Sequence, residues 1–221
     1  GLVGSEMCIR DRSSIAAGIL AGTTHGVAPD ASLVLSTFND NGTAQATDID
    51  TARTTHDAIA MNNSWGYSQN CVGDVCESSV EWSELVSQAN ANGRNIREEL
   101  NNVSNHVFGS HTSTYLTALD NFQNNGVIVW ASGNFPNDTD VSNMAALPAY
   151  FNGTDDSLDL SDAWLTVMYA EFTGTSLSGA STSDFSRKGN PCGSAKEWCL
   201  VVDDRTIKAA GFINGSGTSI Y

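Results

Sequence analysis

An α/β domain with a mainly parallel sheet is the fold class this chain predicts, and three observations predict it. The runs VIVWASGN (127–134), WLTVMYAEF (164–172) and WCLVVDD (198–204) are rich in β-branched and aromatic residues and read as strands. Helical patterns lie between runs of this kind, the spacing that parallel strands of one sheet require. No apolar stretch nears the ~18 residues of a membrane span. The 40% hydrophobic content over 221 residues is enough for one soluble, globular core.

Each element follows in order. Residues 1–12, GLVGSEMCIRDR, have neither a signal-peptide apolar region nor periodicity and are similar to a translated sequencing adapter. They are read as non-native and set aside with the odd Cys8. SSIAAGILAG (13–22) has the small and apolar spacing of a buried helix, and GVAPDASLVLSTF (26–38) reads as a turn entering a strand. TDIDTARTTHDAIAM (47–61) predicts an amphipathic helix capped by Thr47 or Asp48, with Ile49, Ala52, Ala58, Ile59 and Met61 toward its apolar side. NNSWGYS then leaves it abruptly. The polar region 67–112 holds broken helical stretches in WSELVSQANANGRNIREEL, and YLTALDNFQNNG (115–126) is a helix ending at a glycine. No repeat or low-complexity linker divides residues 13–221, which form one domain.

Charge narrows the partners. Twenty-five acidic residues against ten basic ones give a net charge of −15, which repels nucleic acid and anionic membranes. Abundant Asn, Ser and Thr with few Lys suit a protein exposed to the medium, including a salty one. Four of five cysteines fall in two close pairs, Cys71 with Cys76 and Cys192 with Cys199. Such short loops close as disulfides in an oxidising compartment, each worth roughly 2 kcal/mol by loop entropy. Zinc is the rival reading, although neither pair has CxxC spacing and no histidine lies close in sequence.

Four segments, in this order, resemble the subtilisin-like serine peptidases of the subtilase family. GILAG with GVAPDASL resembles the helix and strand after that family's catalytic histidine, and NNSWG its edge strand along the S1 pocket. VIVWASGN resembles the strand ending at the oxyanion-hole asparagine, and GSGTSIY the start of the GTSxAxP serine motif. The CGSAKEWC segment is similar to the subtilase passengers of Gram-negative autotransporters. The resemblance implies a mostly parallel sheet with helices on both faces, here incomplete at both ends. It implies Ser219 as nucleophile, Asn134 as oxyanion donor, and a substrate cleft lined by Ser64, Trp65, Gly66, Ala131, Ser132 and Gly133. It further implies polypeptide substrates, an outer-membrane translocator in the full-length protein, and a secreted or surface location on a Gram-negative bacterium, for which the composition suits a marine source. No cofactor is needed for catalysis. Structural calcium is suggested, though no DxDxDG run marks it and no metal ligands are assigned.

The residues allow the same chemistry on physical grounds. Gly217 lets a substrate approach closely, while the Ser219 N–H and a helix dipole face developing negative charge. Asn134, at a strand's carboxyl end, supplies the second donor. Each has a plainer rival: Asn134 as a turn residue, Trp65 as core, Ser64 to Gly66 as a strand end. A second GTS, Gly174-Thr175-Ser176, is read as an ordinary surface turn. A serine nucleophile also needs a histidine base and an orienting carboxylate. The resemblance places the histidine near Asp11 or Arg12 and the aspartate before Gly1, and His25, His56, His106 and His111 do not replace the base. The expectation is an inactive fragment of a serine endopeptidase. A non-catalytic secreted passenger or adhesive domain on the same fold is the alternative. An α/β-hydrolase esterase lacks its G-x-S-x-G elbow here.

Overall fold

The computed structural model describes residues 21, 28–36, 42–69, 77–103, 111–176 and 178–203. Helix α1 (Gly42–His56) buries Gly42, Gln45, Ala46 and Ile49, the i, i+3, i+4, i+7 stripe of an amphipathic helix. It starts at Gly42, so Thr47 and Asp48 lie inside it rather than at its cap. Thr47 Oγ1 instead donates to the Thr43 carbonyl at 2.9 Å, as a mid-helix threonine does. The helix stops at Asp57, whose φ of 49° an aspartate tolerates better than most residues. Ala58 and Ile59 therefore lie beyond it, and Met61 belongs to strand β1 (Ala60–Asn63). Ile59, expected near the apolar side, is 76% exposed.

Two short antiparallel strands follow, β2 (Ser68–Gln69) and β3 (Ser78–Ser79). Cys71 and Cys76, in the connection between them, lie outside the described residues. The broken helix expected in 82–100 is a pair, α2 (Trp82–Asn92) and α3 (Ile96–Val103). Gly93 separates them in the left-handed conformation at φ 61°, its N–H donating to the Ala89 and Asn90 carbonyls. Helix α4 (Thr112–Gln123) buries Tyr115, Leu116, Ala118, Leu119 and Phe122 and leads into β4 (Val127–Ala131).

The main sheet is mostly parallel. β4 pairs parallel with β1 on one side and with β5 (Trp164–Phe172) on the other. β7 (Cys199–Asp203) runs parallel to β5, and β6 (Phe185–Arg187) antiparallel to its far end. Among the described residues one face carries the core. Ile128 and Trp130 of β4 register with Trp164 and Thr166 of β5, and all four are buried. The Trp130 and Trp164 rings stack with centroids 5.3 Å apart, their planes nearly parallel at 7°. Both indoles and Thr166 are satisfied: Trp130 Nε1 donates to Trp65 O, while Trp164 Nε1 and Thr166 Oγ1 donate to Ala145 O.

The strand expected in 26–38 is not formed among the described residues. Residues 31–36 pair with no described strand, and Leu33, Val34 and Leu35 are exposed. A β-prone run becomes a strand only where a neighbour takes its main-chain hydrogen bonds. The SSIAAGILAG helix falls outside the described residues, apart from Ala21, which is helical.

Candidate active site

β4 ends at Ala131, and the chain turns away through Ser132, Gly133 and Asn134. The turn is made where β4 stops following β5. Ser132 N–H still donates to Val167 O on β5, whereas Asn190 N–H takes over at Gly133 O, 3.1 Å away. Gly133 needs to be glycine, because its φ is 126° and a Cβ would sit 2.3 Å from Asn190 Oδ1. Asn134 is exposed, and its side chain makes no hydrogen bond to the described residues. A strand thus delivers an amide side chain to solvent at its carboxyl end, where open α/β sheets place their sites.

The loop beyond Asn134 is tied down along its whole length. Phe135 N–H donates to Asn190 Oδ1 at 3.0 Å. The buried Asp138 carboxylate accepts from Ser79 N–H, Ser79 Oγ and Asn190 Nδ2. Arg187 from β6 donates to the carbonyls of Pro136 and Asp138, and Glu81 accepts from Thr139 N–H and Oγ1. The buried Asp140 accepts from Ser83 N–H in the first turn of α2 and from Ser194 N–H and Oγ. It therefore joins α2 to the 3₁₀ segment Gly193–Trp198, spending its charge on orphan N–H groups at two helix starts.

Of the predicted cleft residues, Ala131, Ser132 and Gly133 lie consecutively with Asn134. Ser64 and Gly66 follow the carboxyl end of β1, the strand beside β4. Ser64 is exposed and accepts from Asn62 Nδ2 at 3.1 Å. Ser142 connects the two groups, donating its N–H to Ser132 O while its hydroxyl stands 2.7 Å from where a Gly66 Cβ would be. Trp65 turns the other way. Its ring is partly buried against Tyr67, Tyr115 and Trp130 at centroid distances of 6.1, 6.4 and 5.2 Å, so it packs with the core.

Cys192 and Cys199 are disulfide-bonded across Gly193–Trp198, which disposes of the zinc reading for that pair. Among the described residues no three His, Cys, Asp or Glu side chains gather as metal ligands. Ser176 lies on an exposed stretch and its Oγ accepts from Ser178 N–H, in line with the surface-turn reading. His56 and His111 are exposed at the end of α1 and the start of α4. Ser219, His25 and His106 lie outside the described residues.

Sequence reasoning missed Asn190, Ser142, Asp138 and Asp140. The one sequence cue was Asn190 standing just before the Cys192 pair, and nothing in its spacing points back to residues 132–140.

The fold and this strand end define a class: α/β proteins that carry their site beyond the carboxyl ends of parallel strands. Comparison with protein families then identifies the family. The model of the subtilase family, Peptidase_S8, matches residues 13–220, and the chain belongs to that family. No curated protein and no solved structure matches it.

Proposed function

We propose that residues 13–221 are part of a serine endopeptidase domain that cleaves peptide bonds through an acyl-enzyme on Ser219. Membership of a serine peptidase family supports the reaction class and polypeptide substrates. The observation that carries the site is Asn134, held exposed at the end of β4 by a locked loop. In the proposed mechanism Ser219 Oγ attacks the scissile carbonyl and the oxygen becomes an oxyanion. The Asn134 amide and the Ser219 N–H receive it, and both bond the anion more strongly than the ground-state carbonyl. The general base takes the Ser219 proton, the intermediate collapses with cleavage of the peptide C–N bond, the amine leaves with that proton, and water then hydrolyses the acyl-enzyme to free Ser219. Ser64, Gly66 and Ala131 to Gly133 line the substrate cleft in this reading, while Trp65 supports it from the core side.

The base and its carboxylate are assigned to no residue of this chain, and residues 13–221 alone are proposed to be inactive. Residues 1–12 are proposed to be non-native, and the second disulfide to join Cys71 and Cys76. The Cys192–Cys199 bond supports an oxidising compartment and hence secretion. The autotransporter reading and its translocator rest on the CGSAKEWC resemblance. The alternative is a passenger without catalysis on the same fold, and the native residues before Ile15 discriminate the two, since a catalytic histidine there supports the peptidase and another residue the passenger.

The test is hydrolysis of a peptide library by the protein expressed with its native flanking sequence. Asn134→Ala is expected to lower kcat by about 10² to 10³ with little change in KM, a magnitude known from a subtilisin and carried over within the family. Peptidase activity that survives Ser219→Ala contradicts the mechanism. A folded protein with no hydrolysis at all favours the passenger reading.

A further inference from the structure

We propose that Asn190 is the positioning residue of the oxyanion site, fixing the peptide units on both sides of Asn134. The proposal rests on Asn134 being the oxyanion donor. Asn190 is fully buried, at 0% exposure. Its N–H donates to Gly133 O at 3.1 Å, its Oδ1 accepts from Phe135 N–H at 3.0 Å, and its carbonyl accepts from Ser132 Oγ at 3.0 Å. Three hydrogen bonds thus reach residues 132, 133 and 135. Asn134 stands between them with its side chain left to solvent.

The Asn190 amide is itself held in one orientation. Its Nδ2 lies 2.9 Å from three acceptors: Ser79 Oγ, the Asp138 carboxylate and the Asp140 carbonyl. A flipped amide would set its oxygen against that carboxylate and carbonyl, and its NH2 against the Phe135 N–H. Both contacts are repulsive, so the network admits one flip state. The orientation runs outward from buried Asp138 through Asn190 to the main chain around Asn134. Gly133 completes the fit, since any Cβ there would strike the Asn190 amide.

The chemistry gives this clamp its purpose. An oxyanion donor must wait where charge will develop, and a misplacement of about 1 Å can cost 10²-fold in rate. Asn134 has no described partner for its own side chain, so the position of its Cα and the planes of its flanking peptides decide where its amide reaches. Asn190 sets both, and it touches no substrate.

A double-mutant cycle on peptide hydrolysis tests this, in the protein expressed with its native flanking sequence. Asn190→Ser keeps a small polar side chain that is too short for the Phe135 N–H. It is expected to lower kcat about 10- to 100-fold with KM held within about twofold, and to cost less than about threefold once Asn134 is alanine. Unchanged kcat, or the same loss with and without Asn134, overturns the proposal. If Asn134→Ala alone leaves kcat unchanged, the oxyanion reading fails and the proposal with it. A costly Asn134→Ala beside an additive Asn190→Ser removes only the positioning role. Should Asn190→Ser not fold, Ser132→Ala deletes the single bond to the Asn190 carbonyl. A fall in kcat of about threefold to tenfold that disappears in the Asn134→Ala background supports the proposal. An additive fall, no fall, or a change in KM alone overturns it.

Discussion

Gly133 is where the site's geometry is most constrained, since its φ is 126° and a Cβ there would stand 2.3 Å from Asn190 Oδ1, which excludes any side chain. Gly133→Ala is expected to lower stability by about 1–3 kcal/mol through backbone strain and displacement of the Asn190 amide. Urea unfolding measures it. A variant as stable as the parent would mean that Gly133 relaxes freely and the clamp is slack. The place of Asn134 just past a strand end was legible in the sequence, because a β-branched run stopping at Ala-Ser-Gly-Asn marks such an end. Asn190 was not legible. Its partners at 79, 132, 133, 135, 138 and 140 are remote in sequence, and hydrogen bonds across such distances leave no periodic trace. The core position of Trp65 was illegible for a related reason, since an aromatic in NNSWG suits a cleft wall and a core equally well until Tyr115 and Trp130 are placed around it.

At the scale of elements, two ties join segments that local propensity leaves separate. The Cys192–Cys199 bond closes the Gly193–Trp198 segment, and Asp140 fastens that segment to the first turn of α2. Replacing both cysteines with serine is expected to cost about 2 kcal/mol of unfolding free energy, the loop-entropy value for so short a span. An unchanged denaturation midpoint would contradict it. The second tie is the pair Arg97–Asp156, in which Arg97 Nε donates to Asp156 Oδ2 at 2.9 Å and Nη2 donates to Oδ1. The arginine hydrogen bonds hold the Asp156 carboxyl below the usual carboxylate range. A depressed folded pKa stabilises above the unfolded value of about 3.9 and is lost as pH falls through the lower folded value. Asp156→Asn is therefore expected to lower Tm by about 3–6 °C at pH 7, taking about 1.5 kcal/mol for a charged hydrogen bond. The difference from the parent should shrink below pH ~4. A pH-independent difference would assign the effect to packing. The strands at 127–131 and 164–172 were legible because burial on a sheet selects β-branched and aromatic residues, and 199–203 through its β-branched Val201 and Val202, although Leu200 and Val201 are exposed. The α1 boundaries were not, because the stop at Asp57 depends on a left-handed backbone at φ 49° that an aspartate permits without demanding.

Across the whole molecule, the sheet and its loops serve one arrangement: β1 and β4 end side by side, and the segments after them carry the proposed cleft and oxyanion donor. The class of fold could be read from alternating helix and strand patterns because a parallel sheet requires its crossovers. Which strands are neighbours, and which loop locks which, emerged only when β4 was placed between β1 and β5. The central claim is that this scaffold brings Asn134 to a nucleophilic Ser219. The most direct measurement is the site of covalent labelling by a fluorophosphonate, mapped by peptide mass spectrometry on the protein expressed with its native flanking sequence. The account predicts a single adduct on Ser219 that forms more slowly by about 10² to 10³ in Asn134→Ala, the same family-derived factor as for hydrolysis. An adduct on Ser176 or another serine, or labelling of Ser219 at a rate indifferent to Asn134, would contradict it.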